Sequence, residues 1–383
     1  LVDQAFADRR LFKMVLSREA GGLEAARARY AAEPSPPLLL VELDENDGDL
    51  MAHIDALGEV CVAGTNLILF GHRNEVELYR ALIRRGVADY LVLPAEPVRL
   101  IEAVLDLYAE PGAAGSGRVI AFVGAKGGVG SSTLATNTGC ALARIANADV
   151  VVVDLDLPFG AADLVMNLEA IHGVHTVLAD PDRIDDGFLG RFAAKYNDRL
   201  HLLAAPCALD GDAAMAGAAL ENVIHALKQQ AHYVLLDVPH LWADWVRTVL
   251  LLADQVVLVA APDLPSIRNC RNLIDFLATG RSMDLPPVLV LNRVGLARKG
   301  EVPNQDFGTS VGLAPALVIG DEPELFARAA AEGKMIEEVS RKAKASVAIG
   351  QLAKLVAALP ATKAEAKPTA AGSLLARLLR RKG

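Results

Sequence analysis

Four cysteines in 383 residues, Cys61, Cys140, Cys207 and Cys270, are too few and too far apart for a disulfide framework. No CxxC pair occurs, so they read as reduced, mostly buried thiols rather than metal ligands. Long apolar runs are also missing. None reaches the ~18–20 residues a spanning helix needs. The longest candidate, Thr248 to Pro262, is broken by Asp254 and Gln255 and reads as a helix end followed by a core strand. Positive charge is in deficit: a net charge of −9 argues against generic long-range attraction to nucleic acid. His172 and His175 lie beside Gly173 with no third ligand near, which suits loop or packing histidines better than a metal site. No Ser-His-Asp or Cys-His order suggests a hydrolytic triad, no repeat of solenoid length is present, and no signal-peptide pattern is seen. These absences lead to the expectation of a soluble cytoplasmic protein, long enough for two domains that each bury a core.

The most informative stretch is residues 119 to 135, VIAFVGAKGGVGSSTLA. Val119 to Val123 suits a buried parallel strand, the turn carries Gly127, Gly128 and Gly130, and Ser131-Ser132-Thr133 opens a helix. Strand, glycine turn and helix N-terminus form a phosphate cradle: successive N–H groups aim at one point and the helix dipole favours an anion there. Two carboxylates, Asp154 and Asp156, follow the next apolar run (Val150 to Val153), where open α/β sheets bind ligands. Their spacing of two puts them on one side of an extended backbone. Tyr233 to Asp237 has the Walker B form, four mostly apolar residues ending in an aspartate able to hold a metal-bound water.

The loop resembles the deviant Walker A of the MinD/ParA ATPases, KGGxGK[ST]. Lys126 matches the signature lysine, Gly127, Gly128, Val129 and Gly130 the glycine core, and Ser132 the Mg²⁺-binding hydroxyl. Ser131 departs, standing where the P-loop lysine should be. In the form GAKGGVGSST the loop resembles the CpaE/TadZ branch of Flp/Tad pilus-assembly proteins. Arg183 to Asp186, Leu202 to Pro206 and Ala327 to Met335 resemble that branch too. The resemblance implies ATP and Mg²⁺ as cofactors, bound by residues 126 to 133. Asp154, Asp237 and Ser132 would serve the metal, and Asp156 would orient the attacking water. Lys126 would reach the phosphates across a dimer. Asn292, with Arg293 beside it, would read adenine, and Ile319-Gly320-Asp321 stands in the family's Ile-Pro-x-Asp place. Val238-Pro239-His240 departs from the family's Thr-Pro-Pro-Gly-like switch II.

Residues 1–110 alternate short apolar runs with amphipathic stretches, which predicts a small doubly wound parallel sheet. Strands are expected at Leu38 to Val41, Leu67 to Phe70 and Tyr90 to Leu93, with a helix carrying Leu100, Ile101, Val104, Leu105 and Tyr108. Ala81 to Leu91 resembles the last third of a response-regulator receiver. The phosphate chemistry is missing, because Glu42 (or Asp44) stands at the acceptor position and Leu93 at the lysine position. The expectation is a pseudo-receiver that docks or dimerises, with an unrelated packing domain as the alternative.

Residues 111–118 form a Pro/Gly/small-residue linker, and 119–360 a larger P-loop parallel sheet flanked by helices. The tail, 361–383, ends in a short basic amphipathic helix. Leu374, Leu375, Leu378 and Leu379 share one face, suited to an anionic membrane or a partner's groove, although a frayed solubilising tail fits equally. The functional expectation is an ATP-binding localisation and assembly factor for a pilus or secretion machine. It would act as a homodimer at a cell pole or inner membrane, with assembly proteins or a polar landmark protein as partners and weak hydrolysis at most. The alternative is an active ParA/MinD-type ATPase cycling on DNA or membrane.

Overall fold

The computed structural model describes residues 1–11, 14–43, 49–108, 117–179, 187–205, 217–297 and 299–358. Asp44, Arg183 to Asp186, Pro206, Cys207 and the whole tail lie outside these residues. The chain divides into two compact units, Leu1–Gly112 and Ala113–Gly383.

In the first unit, β1 (Leu38–Glu42), β2 (Asn66–Gly71) and β3 (Asp89–Val92) pair in parallel in the order β1-β2-β3. Side chains alternate between faces, as the pleat requires. Leu39, Val41, Leu69 and Tyr90 pack with Leu23, Ile54, Leu57, Leu78 and Leu82 of three helices. On the other face Ile68, Phe70 and Leu91 meet Leu100, Ile101 and Val104 of the helix Pro97–Tyr108. Gly86, at φ 87°, follows the helix Val76–Arg84 and turns the chain into β3. Glu42 ends β1 exposed.

The second unit is an eight-stranded sheet. Its strands are β4 (Arg118–Gly124), β5 (Val150–Asp154), β6 (Ala194–Lys195), β7 (Leu200–Leu203), β8 (Tyr233–Val238), β9 (Gln255–Ala260), β10 (Val288–Val294) and β11 (Leu317–Gly320). Their order is β11-β10-β9-β4-β8-β5-β7-β6, all parallel except the β6–β7 pair. The chain leaves β4 for β5 on one side and later reaches β9 on the other. The order therefore reverses at β4, which opens a crevice at the carboxyl ends of the central strands. Val119, Ala121 and Val123 of β4 join one core with Val151, Val234, Val246 and Leu277, and Ile120 and Phe122 join the other with Leu134, Val152, Leu235 and Leu352. Helices thus cover both faces. Among the described residues no helix is long and apolar enough to cross a membrane.

Candidate functional site

Between β4 and the helix Ser131–Ala146 the backbone makes a tight loop, with Gly128 at φ 79° and Gly130 at φ 89°. An L-residue at 130 would be strained, and its Cβ would lie 2.6 Å from Asn292 Nδ2. Four side chains hold the loop's carbonyls. His240 Nδ1 donates to Gly124 O at 3.0 Å, and Asn269 Nδ2 to Ala125 O at 2.8 Å. Arg293 Nη1 donates to Gly128 O at 2.7 Å, and Asn292 Nδ2 to Val129 O at 2.8 Å. Because a trans peptide carries C=O and the next N–H in opposite directions, these tethers turn the N–H groups of Lys126, Val129 and Gly130 the other way. The N–H groups of Ser131, Ser132 and Thr133 head the helix and have no intrahelical acceptor. The result is an anion cradle set by the protein itself.

The cradle opens into a pocket of about 530 Å³, lined by Lys126 to Thr133, Asp156, His240, Asn292, Arg293, Asp321 and Phe326, among others. That volume suits a nucleotide-sized ligand. A larger cavity, about 680 Å³, lies in the first unit beside β1. Arg29 pairs with Glu19 there and Arg18 with Asp3, which leaves Glu42 and no set of donors for a charged ligand, so chemistry rather than size selects the loop pocket.

Asp154, the last residue of β5, stands in register with Asp237, the last but one of β8, and both are buried. Burial, and then the Asp154 charge, push the Asp237 carboxyl up to about 7, against a hydrogen bond from the Ser132 side chain. Burial likewise lifts Asp154 to about 6, opposed by backbone N–H donors at Asp156 and Ala162. Among the described residues, no basic side chain is one of the main influences on either carboxyl. Buried carboxylates without a cationic partner suit a hard cation. Among the described residues no cluster of three or more His, Cys, Asp or Glu forms a metal cage. Mg²⁺ needs none, since it takes one or two protein ligands and completes its shell with phosphate oxygens and water. The residues fit an Mg²⁺-nucleotide: the loop amides would take the phosphates and Ser132, which lines the pocket, would take the metal, while Asp237 lies behind it, hydrogen-bonded to the Ser132 side chain and not itself in the pocket wall. When bound, Mg²⁺ would offset the phosphate charge.

Several expected residues sit differently from their sequence reading. Lys126 does not extend outward: its Nζ lies 2.6 Å from Asp263 of the same chain. Asn292 is buried, with its amide spent on Val129 O rather than presented to a base edge. Asp154 accepts backbone N–H bonds on both oxygens, so it fastens the turn after β5 and does not line the pocket. Ser131 Oγ is buried without a hydrogen-bond partner, leaving its backbone N–H as the group at the helix start. Asp156 lines the pocket as expected, and the 127–130 glycine turn and Thr133 lie in its wall. Asp163 caps locally, accepting from Leu164 N, and the His172 ring packs edge-on against Phe192. Sequence reading missed Asp263, Asn269 and Phe326. Asp263 follows β9 and caps the helix Leu264–Gly280, accepting from Ser266 N at 2.9 Å, and a Pro-Asp pair before a helix was its only signal.

Sheet order, crevice and cradle together define a P-loop domain of the MinD/ParA type. A family profile described as an AAA domain matches residues 117–282. The septum site-determining protein MinD of Bacillus subtilis is 27% identical over 249 residues, 63% of this chain and 89% of that protein. The structure of MinD complexed with Mg-ADP from Pyrococcus horikoshii shares the fold, at 22% identity and a TM-score of 0.54, over 62% of this chain and 95% of that one. A crystal structure of the pilus assembly protein CpaE from Caulobacter crescentus is 41% identical, covering 28% of this chain and 88% of that one. Its TM-score of 0.27 is too low to carry a structural argument. The chain is thus similar in sequence to MinD over 63% of its length, and the solved MinD structure shares its fold.

Proposed function

We propose that the protein is an ATP-binding localisation and assembly factor for a Flp/Tad-type pilus or secretion machine, acting as a nucleotide-dependent homodimer with weak or absent hydrolysis. The observation carrying this reading is a cradle complete in its main chain but lacking a lysine at 131. One charged hydrogen bond to phosphate contributes about 1.5–3 kcal/mol, so binding survives its loss. Turnover is more exposed, since losing one preorganised donor typically costs ~10²–10³ in rate. The pilus assignment rests on the GAKGGVGSST form of the loop and the CpaE/TadZ-like segments after it. The first unit serves in this reading as a pseudo-receiver for docking, because Glu42 and Leu93 replace the groups a phosphoryl relay needs.

The MinD kinship favours a second reading, an ATPase cycling on DNA or membrane to position cargo. Isothermal titration with Mg·ATP and a turnover assay with and without DNA or liposomes separate the two. Binding with turnover near background supports the first, and stimulated turnover supports the second. Ser131→Lys is expected to raise turnover. Absence of adenine-nucleotide affinity would remove both.

A further inference from the structure

The helix that heads the cradle begins on Gly130, which brings no capping oxygen. Leu134 N closes its first turn onto Gly130 O at 3.0 Å. A turn without a side-chain cap frays more readily, and fraying would scatter the N–H groups of Ser131, Ser132 and Thr133. Two buried side chains one turn further on hold it instead. Thr136 Oγ1 donates to Ser132 O at 3.1 Å, and Asn137 Nδ2 donates to Thr133 O at 2.8 Å.

Asn137 has a second end to its amide. Its Oδ1 accepts at 2.8 Å from the N–H of Ile336, the first residue of the short helix Ile336–Val339. That N–H has no intrahelical acceptor, so the bond also answers a buried donor. One amide is thus spent on the turn that faces the pocket and on a segment 199 residues further along the chain. The same helix face repeats the grip two turns on, where Arg144 Nη2 lies 2.7 Å from Glu337 Oε2. Thr133 lines the pocket and Asn137 does not. We propose that Asn137 is a positioning residue for the phosphate cradle, taking its bearing from the main chain at Ile336 and holding the first turn of the Ser131–Ala146 helix in place through Thr133. This deepens the nucleotide reading above and can fail while that reading stands.

The test is calorimetric titration of the full chain with Mg·ATP, beside thermal melts, for the parent, Asn137→Ala and Asn137→Asp. Asn137→Ala leaves Thr133 O and Ile336 N without their side-chain partner and should weaken binding roughly tenfold, the equivalent of one hydrogen bond. Asn137→Asp asks the same question without a cavity. A protonated carboxyl donates with one oxygen and accepts with the other, as the amide does, whereas a carboxylate has no proton for Thr133 O. Burial favours the protonated form, so the variant should match the parent within about twofold at about pH 5 and fall roughly tenfold behind it at about pH 8. The ionisable groups alongside are Cys140, Glu337 paired with Arg144, and Glu338 bonded to Tyr196 and Met335 N. They are common to parent and variant, and comparison at each pH cancels them. Melting temperatures that fall with no loss of affinity would make Asn137 a packing residue and overturn the proposal. A ratio of Asn137→Asp to parent affinity that stays constant with pH would overturn it too, and decides alone should Asn137→Ala not fold. A parent that binds no Mg·ATP would bring down the nucleotide reading itself, and this inference with it.

Discussion

Asp263 carries two duties, an ion pair with Lys126 and the cap of the helix Leu264–Gly280. Asn keeps a capping oxygen while removing the charge. Asp263→Asn should therefore leave the melting temperature within about 2 °C and release Lys126. Since half-exposed pairs are worth roughly 0.2–1 kcal/mol, ATP-dependent dimerisation should strengthen by up to about fivefold by sedimentation. Asn292 makes a different prediction, because its amide is spent on the loop. Asn292→Ala leaves Val129 O unpartnered, at about 1–3 kcal/mol. ATP and GTP affinities should fall together, and a selective loss of ATP would return Asn292 to the base-reading role. The buried carboxylates set a pH response. Asp237 and Asp154 hold protons up to about 7 and 6 when folded, against 3.8 ordinarily. Between these limits the folded state binds more protons than the unfolded, so stability of the nucleotide-free protein falls as pH rises through that window. Asp237→Asn should flatten the slope and be more stable than the parent at pH 8 by roughly 1–4 kcal/mol, as thermal melts across pH would show.

Elements differ in how plainly the sequence announces them. Val150 to Val153, Val256 to Val259 and Val288 to Leu291 are unbroken valine and leucine runs, and each is an interior strand of the sheet. The strand that begins at Val150 ends at Asp154, ahead of the apolar Leu155, because the Asp154 side chain takes the N–H of Asp156 and turns the chain. β6 is two residues, Ala194–Lys195, with no β-propensity to read, and only its antiparallel pairing to β7 makes it a strand. The cradle was legible because glycines at fixed spacing have few other uses. The tethers were not, since His240, Asn269 and Asn292 come from three places along the chain and meet the loop only after the sheet forms. Gly130→Ala tests this element: at φ 89° and with Asn292 behind it, the substitution should abolish nucleotide binding in the same titration.

Across the whole molecule, each unit has its own core, Leu23 to Tyr90 and Ala5 to Val104 in one, and the two faces of the eight-stranded sheet in the other. A ligand of the loop should stabilise the second unit by RT ln(1 + [L]/Kd), about 2.7 kcal/mol at a hundredfold excess over Kd. Scanning calorimetry should show that gain in the transition of the larger unit. Because the loop's carbonyls are anchored to side chains from the β8 turn, the Leu264–Gly280 helix and the end of β10, an arriving phosphate meets a finished mould. Occupancy then alters charge more than shape. A load on the mould would be shared by three separate stretches of backbone, so that none of them need yield far.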